Sequence, residues 1–484
     1  MNSVINNIKN LLNKKLSREM IIYGGGSFVS AISSFILIPI YIKKMNVAEF
    51  GIISLVLTIP LFLNTFQSLS LESAVMRFYF DWEKDNKHKK NIFSVWLFMT
   101  LWSFLLSLLL YFFGNKLFFL FFKSIPFDPY IKIAIISSFI SVSYNYASKI
   151  LRITQNAFAY VLISYVSTIL KFIFIIVTLV YIRNDSKAAL YAILFSDMII
   201  IVPILYILYK NFEFSFSIEA VKQALRFEIP SLPGQIILNF SSIIDRFLLA
   251  RFFNLQEIGI YMLATKIASL IQMFVNIFQL ALTPYYLKLN ATIENPIKYI
   301  SNANKTLFKI IFLISSFLLI FSTEITLLFK KGTDPNLFIY ISGLTIVYYF
   351  QTLLYNSQLV FFIKSKLLYG TYASALLIGL TIFLSFIFSP IFGLFGLIIS
   401  MITSSLIVLY CSNLASDKIE NHNNFRFDIN HAIIILLLIT MYLVYTHFTF
   451  SLFIGLMFKF ILISIMVFFT KKNFLKQFRL LSFN

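Results

Sequence analysis

The sequence predicts an all-α polytopic membrane protein with about 14 transmembrane helices. Three observations carry this prediction. Apolar runs long enough to cross a bilayer recur along the whole chain. Only 12% of residues are charged, against 59% hydrophobic and 18% aromatic, where a soluble domain is nearer a quarter charged. The mean hydropathy is +0.85, and that much apolar surface needs lipid as its solvent.

A helix needs about 20 apolar residues to cross the hydrocarbon core. That rule places spans at 21–42, 51–75, 92–113, 133–150, 158–182, 188–209, 230–250, 259–282, 310–329, 338–362, 367–389, 393–415, 431–449 and 451–470. The last two are divided only by a polar break near His447 and Ser451. Their joint run is too long for one crossing and suits a tight hairpin. Ahead of the first span, residues 1–18 are basic. Ile5, Ile8, Leu12 and Leu16 recur there at helical spacing, which predicts an amphipathic tail on the membrane surface rather than a cleavable signal.

Orientation follows from the basic residues, which gather on the cytoplasmic side of membrane proteins. With the N-terminus inside, the inner segments hold 26 Lys and Arg and the outer segments 10. Both termini are therefore expected in the cytoplasm, including the basic tail 471–484. The formal net charge of +20 is distributed between spans, so anionic lipid headgroups are its expected partner and nucleic acid is not. Cys411 is the single cysteine, so neither an internal disulfide nor a cysteine-built zinc site can form. His88, His422, His431 and His447 lie in loops or at span ends, without a carboxylate or thiol at metal-ligand spacing. No residue pattern points to catalysis, and no loop is long enough to build an external active site.

An internal repeat organises the spans. KKMNVAEFG at Lys43–Gly51 matches RFFNLQEIG at Arg251–Gly259 with an offset of 208. Basic, Asn, Glu and Gly positions coincide at 43/251, 46/254, 49/257 and 51/259. Gly26 also falls on Gly234, and Ser33-Ser34 on Ser241-Ser242. The offset equals six spans, an even number, so the repeats are parallel and a pseudo-two-fold axis along the membrane normal relates them, with the substrate between the halves. The expected domains are an N-lobe at 19–210, a C-lobe at 226–416 and a hairpin at 431–470.

Ionisable groups inside spans are expensive and usually face a polar cavity or a partner. Arg246, Lys266, Arg77 and Glu72 occupy equivalent spans of the two repeats and form the candidate substrate cavity. A basic cavity suits an anionic substrate, since Arg grips phosphate through two parallel hydrogen bonds. Asp245 and Arg246 are adjacent, about 100° apart on a helix, and are not expected to neutralise one another simply. Asp245 and Asp197, followed by Glu72, are the candidates for binding a coupling H+ or Na+. Lys171 is expected to pair or to snorkel, and Lys459 to snorkel from a peripheral helix. Gly24, Gly25 and Gly26 weaken the start of the first span and form a candidate hinge. They lack the Lys-Ser/Thr of a phosphate loop.

Residues 226–288 resemble the bacterial polysaccharide-transport flippases of the multidrug/oligosaccharidyl-lipid/polysaccharide exporter superfamily. The resemblance rests on Pro230 and Pro233 at the entry to the seventh span, then Asp245-Arg246, Glu257-x-Gly259-x-Tyr261 and Ala264-x-Lys266. In the first half it rests on Glu49-Phe-Gly51 and LESAVMRF at 71–78. It implies two six-helix lobes around a central, often cationic cavity. The implied cargo is a polyprenyl-pyrophosphate-linked glycan, an O-antigen repeat unit among them, moved from the cytoplasmic to the periplasmic leaflet of the inner membrane. Polymerase and chain-length proteins are the implied partners, and Tyr23 and Gln235 are candidates for contacts to sugar. The rival within the superfamily is a drug or cation antiporter, which favours acidic pockets. A rival of another class is a membrane-embedded polymerase or acyltransferase. The first calls for a long outer loop and the second for a histidine within a span, and neither is present.

Overall fold

The computed structural model describes residues 33–276, 278–279, 297–327, 329, 334–364 and 366–420. The 1–18 tail, Tyr23, Gly24, Gly25, Gly26, the 431–470 hairpin with Lys459, and the 471–484 tail lie outside the described residues. Every regular element among the described residues is helical. Six helices are long and apolar enough to cross a membrane: Val47–Ser68, His88–Phe113, Phe158–Ile182, Ser186–Lys210, Leu337–Phe361 and Leu368–Ile419. Leu255–Ala268 and Leu270–Asn276 make a seventh if their 42° bend is one broken span.

The chain divides into two compact units, Met1–Met262 and Leu263–Asn484. The first unit opens with α1 (33–44), α2 (Val47–Val56), α3 (Thr58–Ser68) and α4 (Leu71–Lys84). The span expected at 51–75 is thus interrupted. Leu69 and Ser70 both adopt positive φ, 47° and 55°, which costs a residue with a Cβ about 1–2 kcal/mol each. The backbone N–H of Ser70 is satisfied locally by the Ser68 hydroxyl at 3.0 Å. The break ends the apolar helix and starts an amphipathic one, α4, which buries Leu71, Ala74, Val75, Tyr79 and Trp82.

Next come α5 (His88–Phe113), α6 (Asn115–Phe121), α7 (Lys132–Ile153), α8 (Ala157–Val177), α9 (Ser186–Lys210) and α10 (Ile218–Glu228). Helix α7 fills the expected 133–150 span, but its many serines separate it from the most apolar helices. Those serines make polar links inside the bundle. Gln67 on α3 donates to Ser107 on α5 at 2.8 Å and to Ser138 on α7 at 2.9 Å. Tyr146 is fully buried and donates to the Ile92 carbonyl at 2.7 Å. On the opposite face, Phe104, Leu108 and Phe113 of α5 are exposed, as lipid-facing side chains of a spanning helix must be.

The span expected at 230–250 is also two helices, α11 (Leu232–Ser241) and α12 (Ile244–Phe252). Both pack with the first unit: Asn239 donates to Thr65 at 2.8 Å. Helix α13 (Leu255–Ala268) straddles the division and is followed by α14 (Leu270–Asn276). The second unit continues with α15 (Ile297–Ile320), α16 (Ser322–Leu327), α17 (Leu337–Ile363) and α18 (Leu367–Glu420). At 1.5 Å per residue, a straight α18 would measure about 81 Å, more than twice the hydrocarbon thickness. It bends where Gly393 takes φ 58° and ψ −140°, three residues after Pro390. The expected spans 367–389 and 393–415 are the two arms of this bend.

The repeat segments meet each other. Asn46 caps α2 by accepting from the Glu49 N–H at 2.8 Å. Asn254 caps α13 by accepting from the Glu257 N–H at 3.0 Å, and Glu257 accepts in return from the Asn254 N–H at 3.0 Å, which closes a capping box. Gly51 and Gly259 lie at the crossing of α2 with α13. A Cβ on Gly51 would stand 2.5 Å from the Leu255 carbonyl oxygen and 2.9 Å from the Gly259 nitrogen, and one on Gly259 would overlap the Val47 carbonyl. The matched Asn, Glu and Gly are therefore two helix starts and the close contact between them.

Candidate functional site

The break at Leu69–Ser70 places Glu72 in the first turn of α4 rather than inside a continuous span. It lies beside Ser68 and its own backbone N–H, and it feels the charges of Lys149 on α7 and Glu228 on α10. Its Oε2 is buried without a hydrogen-bond partner among the described residues. Glu228 is only 2% exposed. Its Oε2 accepts from Ser231 Oγ and from Gln235 Nε2, each at 2.9 Å. Burial pushes the Glu228 carboxyl above the ordinary carboxylate range. The Ser231 and Gln235 hydrogen bonds and the Lys149 ammonium draw it partly back. Gln235, a sequence candidate for sugar contacts, is thus committed to Glu228 and Ser231.

A second polar centre forms at the start of α12. Asp245 is buried, and Arg246 Nη1 reaches it at 3.1 Å while also donating to the Ser242 carbonyl at 2.8 Å. The two neighbours pair, but each also keeps a second partner, so they do not simply neutralise one another. Their Cα–Cβ vectors diverge, but the long Arg side chain curls back over the first turn of α12 and brings its guanidinium to the carboxylate. Tyr261 on α13 donates to the other Asp245 oxygen at 3.2 Å. Phe62, Phe240 and Phe247 wall the same region, with Phe62 5.8 Å from Phe240 and 5.5 Å from Phe247 between ring centroids.

The remaining sequence candidates pair locally or are exposed. Arg77 is 59% exposed at its side chain, pairs with Asp81 at 3.2 Å and lies over Phe78. Asp197 pairs with Lys171 at 2.8 Å, joining α9 to α8, so that carboxylate already has its counter-ion. Lys266 is exposed on α13 and belongs to the second unit. A cavity of about 430 Å³ lies against α10, lined by Phe78, Lys222, Gln223, Arg226 and Phe227. Gln223 is held there by Trp82, whose indole N–H donates to it at 3.0 Å.

Glu228, Lys149 and Arg152 are the charged residues that the span-by-span reading passed over. They sit at span ends, where charge is ordinary, and only the packing of α4, α7 and α10 buries Glu228 and half-buries Lys149 and Arg152. The available signal was the amphipathic pattern of 218–228, whose small apolar residues Ala220, Val221 and Ala224 are the buried face.

Comparison with known proteins places this geometry in a setting. The family model described as "Polysaccharide biosynthesis protein" matches residues 16–290. The fold is similar to the lipid II flippase MurJ in an inward closed conformation, with a TM-score of 0.70 and 16% identity over 95% of this chain and 99% of that one. It is similar to a mutant of the Vibrio cholerae MATE transporter VcmN, with a TM-score of 0.62 and 16% identity over 86% of this chain and 99% of that one. A transporter of the MOP superfamily from Pyrococcus furiosus matches with a TM-score of 0.51 and 16% identity, over 83% and 95% of the two chains. Comparison with curated proteins found no match.

Proposed function

Starting from the fact that the chain belongs to the polysaccharide biosynthesis protein family, we propose that it is a flippase for a polyprenyl-diphosphate-linked oligosaccharide. It carries the cargo from the cytoplasmic to the periplasmic leaflet of the inner membrane, and an O-antigen repeat unit is the cargo class. The observation that supports this most is the family match, which spans the break before Glu72 and the Asp245–Arg246 centre. Arg246, Lys266 and Arg77 are proposed to meet the diphosphate during transit, because a guanidinium or ammonium offers charge-assisted hydrogen bonds to phosphate oxygens. The lobes at 19–210 and 226–416, cytoplasmic termini, and work alongside polymerase and chain-length proteins belong to the same reading.

The test uses purified protein in vesicles that carry a polyprenyl diphosphate with a labelled sugar. A membrane-impermeant oxidant should reach the label in the trailing leaflet faster than in protein-free vesicles. Equal rates would remove the flippase reading. The likeness to MATE transporters supports cation antiport as the second reading. Efflux of a cationic dye from the same vesicles, without movement of the labelled lipid, would favour it.

A further inference from the structure

We infer that Glu72 and Glu228, with Lys149 beside them, form a proton-binding site at the junction of α4, α7 and α10. The inference deepens the flippase reading, and it rests on that reading only for what the proton drives.

The buried carboxyl of Glu228, the half-buried Glu72 with its buried Oε2, and one ammonium act on one another here. Glu72 feels both Lys149 and Glu228, and Glu228 feels Lys149. With these three groups ionised, one net negative charge is left in a largely buried place, and such a charge is usually removed by a proton. The hydrogen bonds show where that proton belongs. Glu228 Oε2 is saturated by Ser231 and Gln235, whereas Glu72 Oε2 is buried and unpartnered among the described residues. A carboxylate oxygen buried without a donor is the position at which a proton relieves most charge.

The surrounding charges do not supply a substitute. On α7, Arg152 acts on Lys149 and on neither carboxyl, and its Nε is itself buried without a partner among the described residues. Tyr146 is close enough to feel Glu72, but its hydroxyl proton is given to the Ile92 carbonyl. On α4, Arg77 is held by Asp81. On α5, the His88 ring packs against Tyr79, and on α10 Lys222 and Arg226 point into the outer cavity. The other carboxylates considered for coupling are occupied, Asp197 by Lys171 and Asp245 by Arg246 and Tyr261. Because the two carboxyls are coupled, the proton belongs to the pair and leaves with one macroscopic step.

The site has a mechanical consequence. Glu228 closes α10, and Ser231 and Gln235 open the next helix, so the charge state at Glu72 bears on how α10 and α11 are held to α4. Loss of the proton puts two carboxylates in opposition across that joint.

The test is infrared difference spectroscopy of the full-length protein in lipid nanodiscs across a pH titration. The wild type should show a carboxylic-acid carbonyl band at a pH above the ordinary carboxylate range, and the band should disappear as the pH is raised further. The band should be missing at that pH from both Glu72→Gln and Glu228→Gln. Lys149→Met should retain it to higher pH, since the ammonium favours the ionised pair. Absence of the band from the wild type, which needs no variant to be folded, overturns the proposal, as does a band that survives in either glutamine variant. In a second arm, flipping of labelled polyprenyl diphosphate is measured with and without an imposed pH gradient. The gradient should change the wild-type rate and leave both glutamine variants unchanged. If the wild type moves no lipid while the band behaves as stated, the flippase reading fails and the proton site stands.

Discussion

Arg246 shows how packing holds a single charged side chain in one place. Its Nη1 is committed to Asp245 and the Ser242 carbonyl, which fixes where the guanidinium points. A guanidinium carries five donors in a planar fork, the geometry that meets phosphate oxygens. Arg246→Ala should abolish export of the polysaccharide without lowering the amount of protein in the membrane, and Arg246→Lys should retain part of it, as a point charge replaces a fork. Export at the wild-type level from the alanine variant, measured on intact cells, would make the residue structural. Glu228 gives a stability prediction of definite sign. Its folded pKa is raised by burial, so its contribution is fully present below the ordinary carboxylate pKa and is lost as the pH rises through the raised value. Thermal stability should therefore fall across that window in the wild type. Glu228→Gln should flatten the dependence, and an unchanged slope in the variant would mean that another group titrates.

At the scale of elements, the repeat was legible in the sequence and its physical meaning was not. Matching Asn, Glu and Gly at one offset marked Lys43–Gly51 and Arg251–Gly259 as related, because capping and close packing demand particular residue types at particular positions. That the two glycines would touch each other required the crossing of α2 with α13. Gly259→Ala tests this by pitting two magnitudes against each other. Alanine gains about 1 kcal/mol of helix propensity over glycine, whereas overpacking a tight contact costs about 1–3 kcal/mol. The Val47 carbonyl lies where the new methyl would go, so the second effect wins and the melting temperature should drop. Gly379→Ala, where nothing lies within 4 Å of the added atom, should raise it instead. A rise for both would show that the α2–α13 contact relaxes freely. The breaks after Ser68 and within 230–250 were not legible, since apolar runs continue through them. Leu69 and Ser70 carry no Gly or Pro to announce a left-handed turn. Glu228 was hidden for the complementary reason, that its burial is made by three helices distant in sequence.

For the whole molecule, topology and driving force follow from the distribution of charge. The excess of Lys and Arg in alternate segments predicts that reporters fused at Lys87, Asn290 and the C-terminus report cytoplasm and one at Gly332 reports periplasm; a periplasmic C-terminus would remove one crossing from the expected hairpin. The same orientation sets the sign of the electrical work. A dianionic diphosphate leaving an inside-negative cell moves toward the positive side, and each charge contributes about 2.3 kcal/mol per 100 mV. Two charges therefore gain about 4.6 kcal/mol per 100 mV, enough to drive the loaded step without help. The empty carrier must then return, and a net negative charge that crosses inward with it moves against the potential. A proton that neutralises a buried carboxylate lowers that burden, which is why the identity of the titrating residue matters. Asp245 is held by Arg246 and Tyr261, so its expected role is to orient the guanidinium. Asp245→Asn should accordingly lower the flipping rate in vesicles at every imposed potential and pH gradient while leaving the dependence on both intact. If the variant instead loses its response to the pH gradient and keeps its response to potential, Asp245 carries the proton.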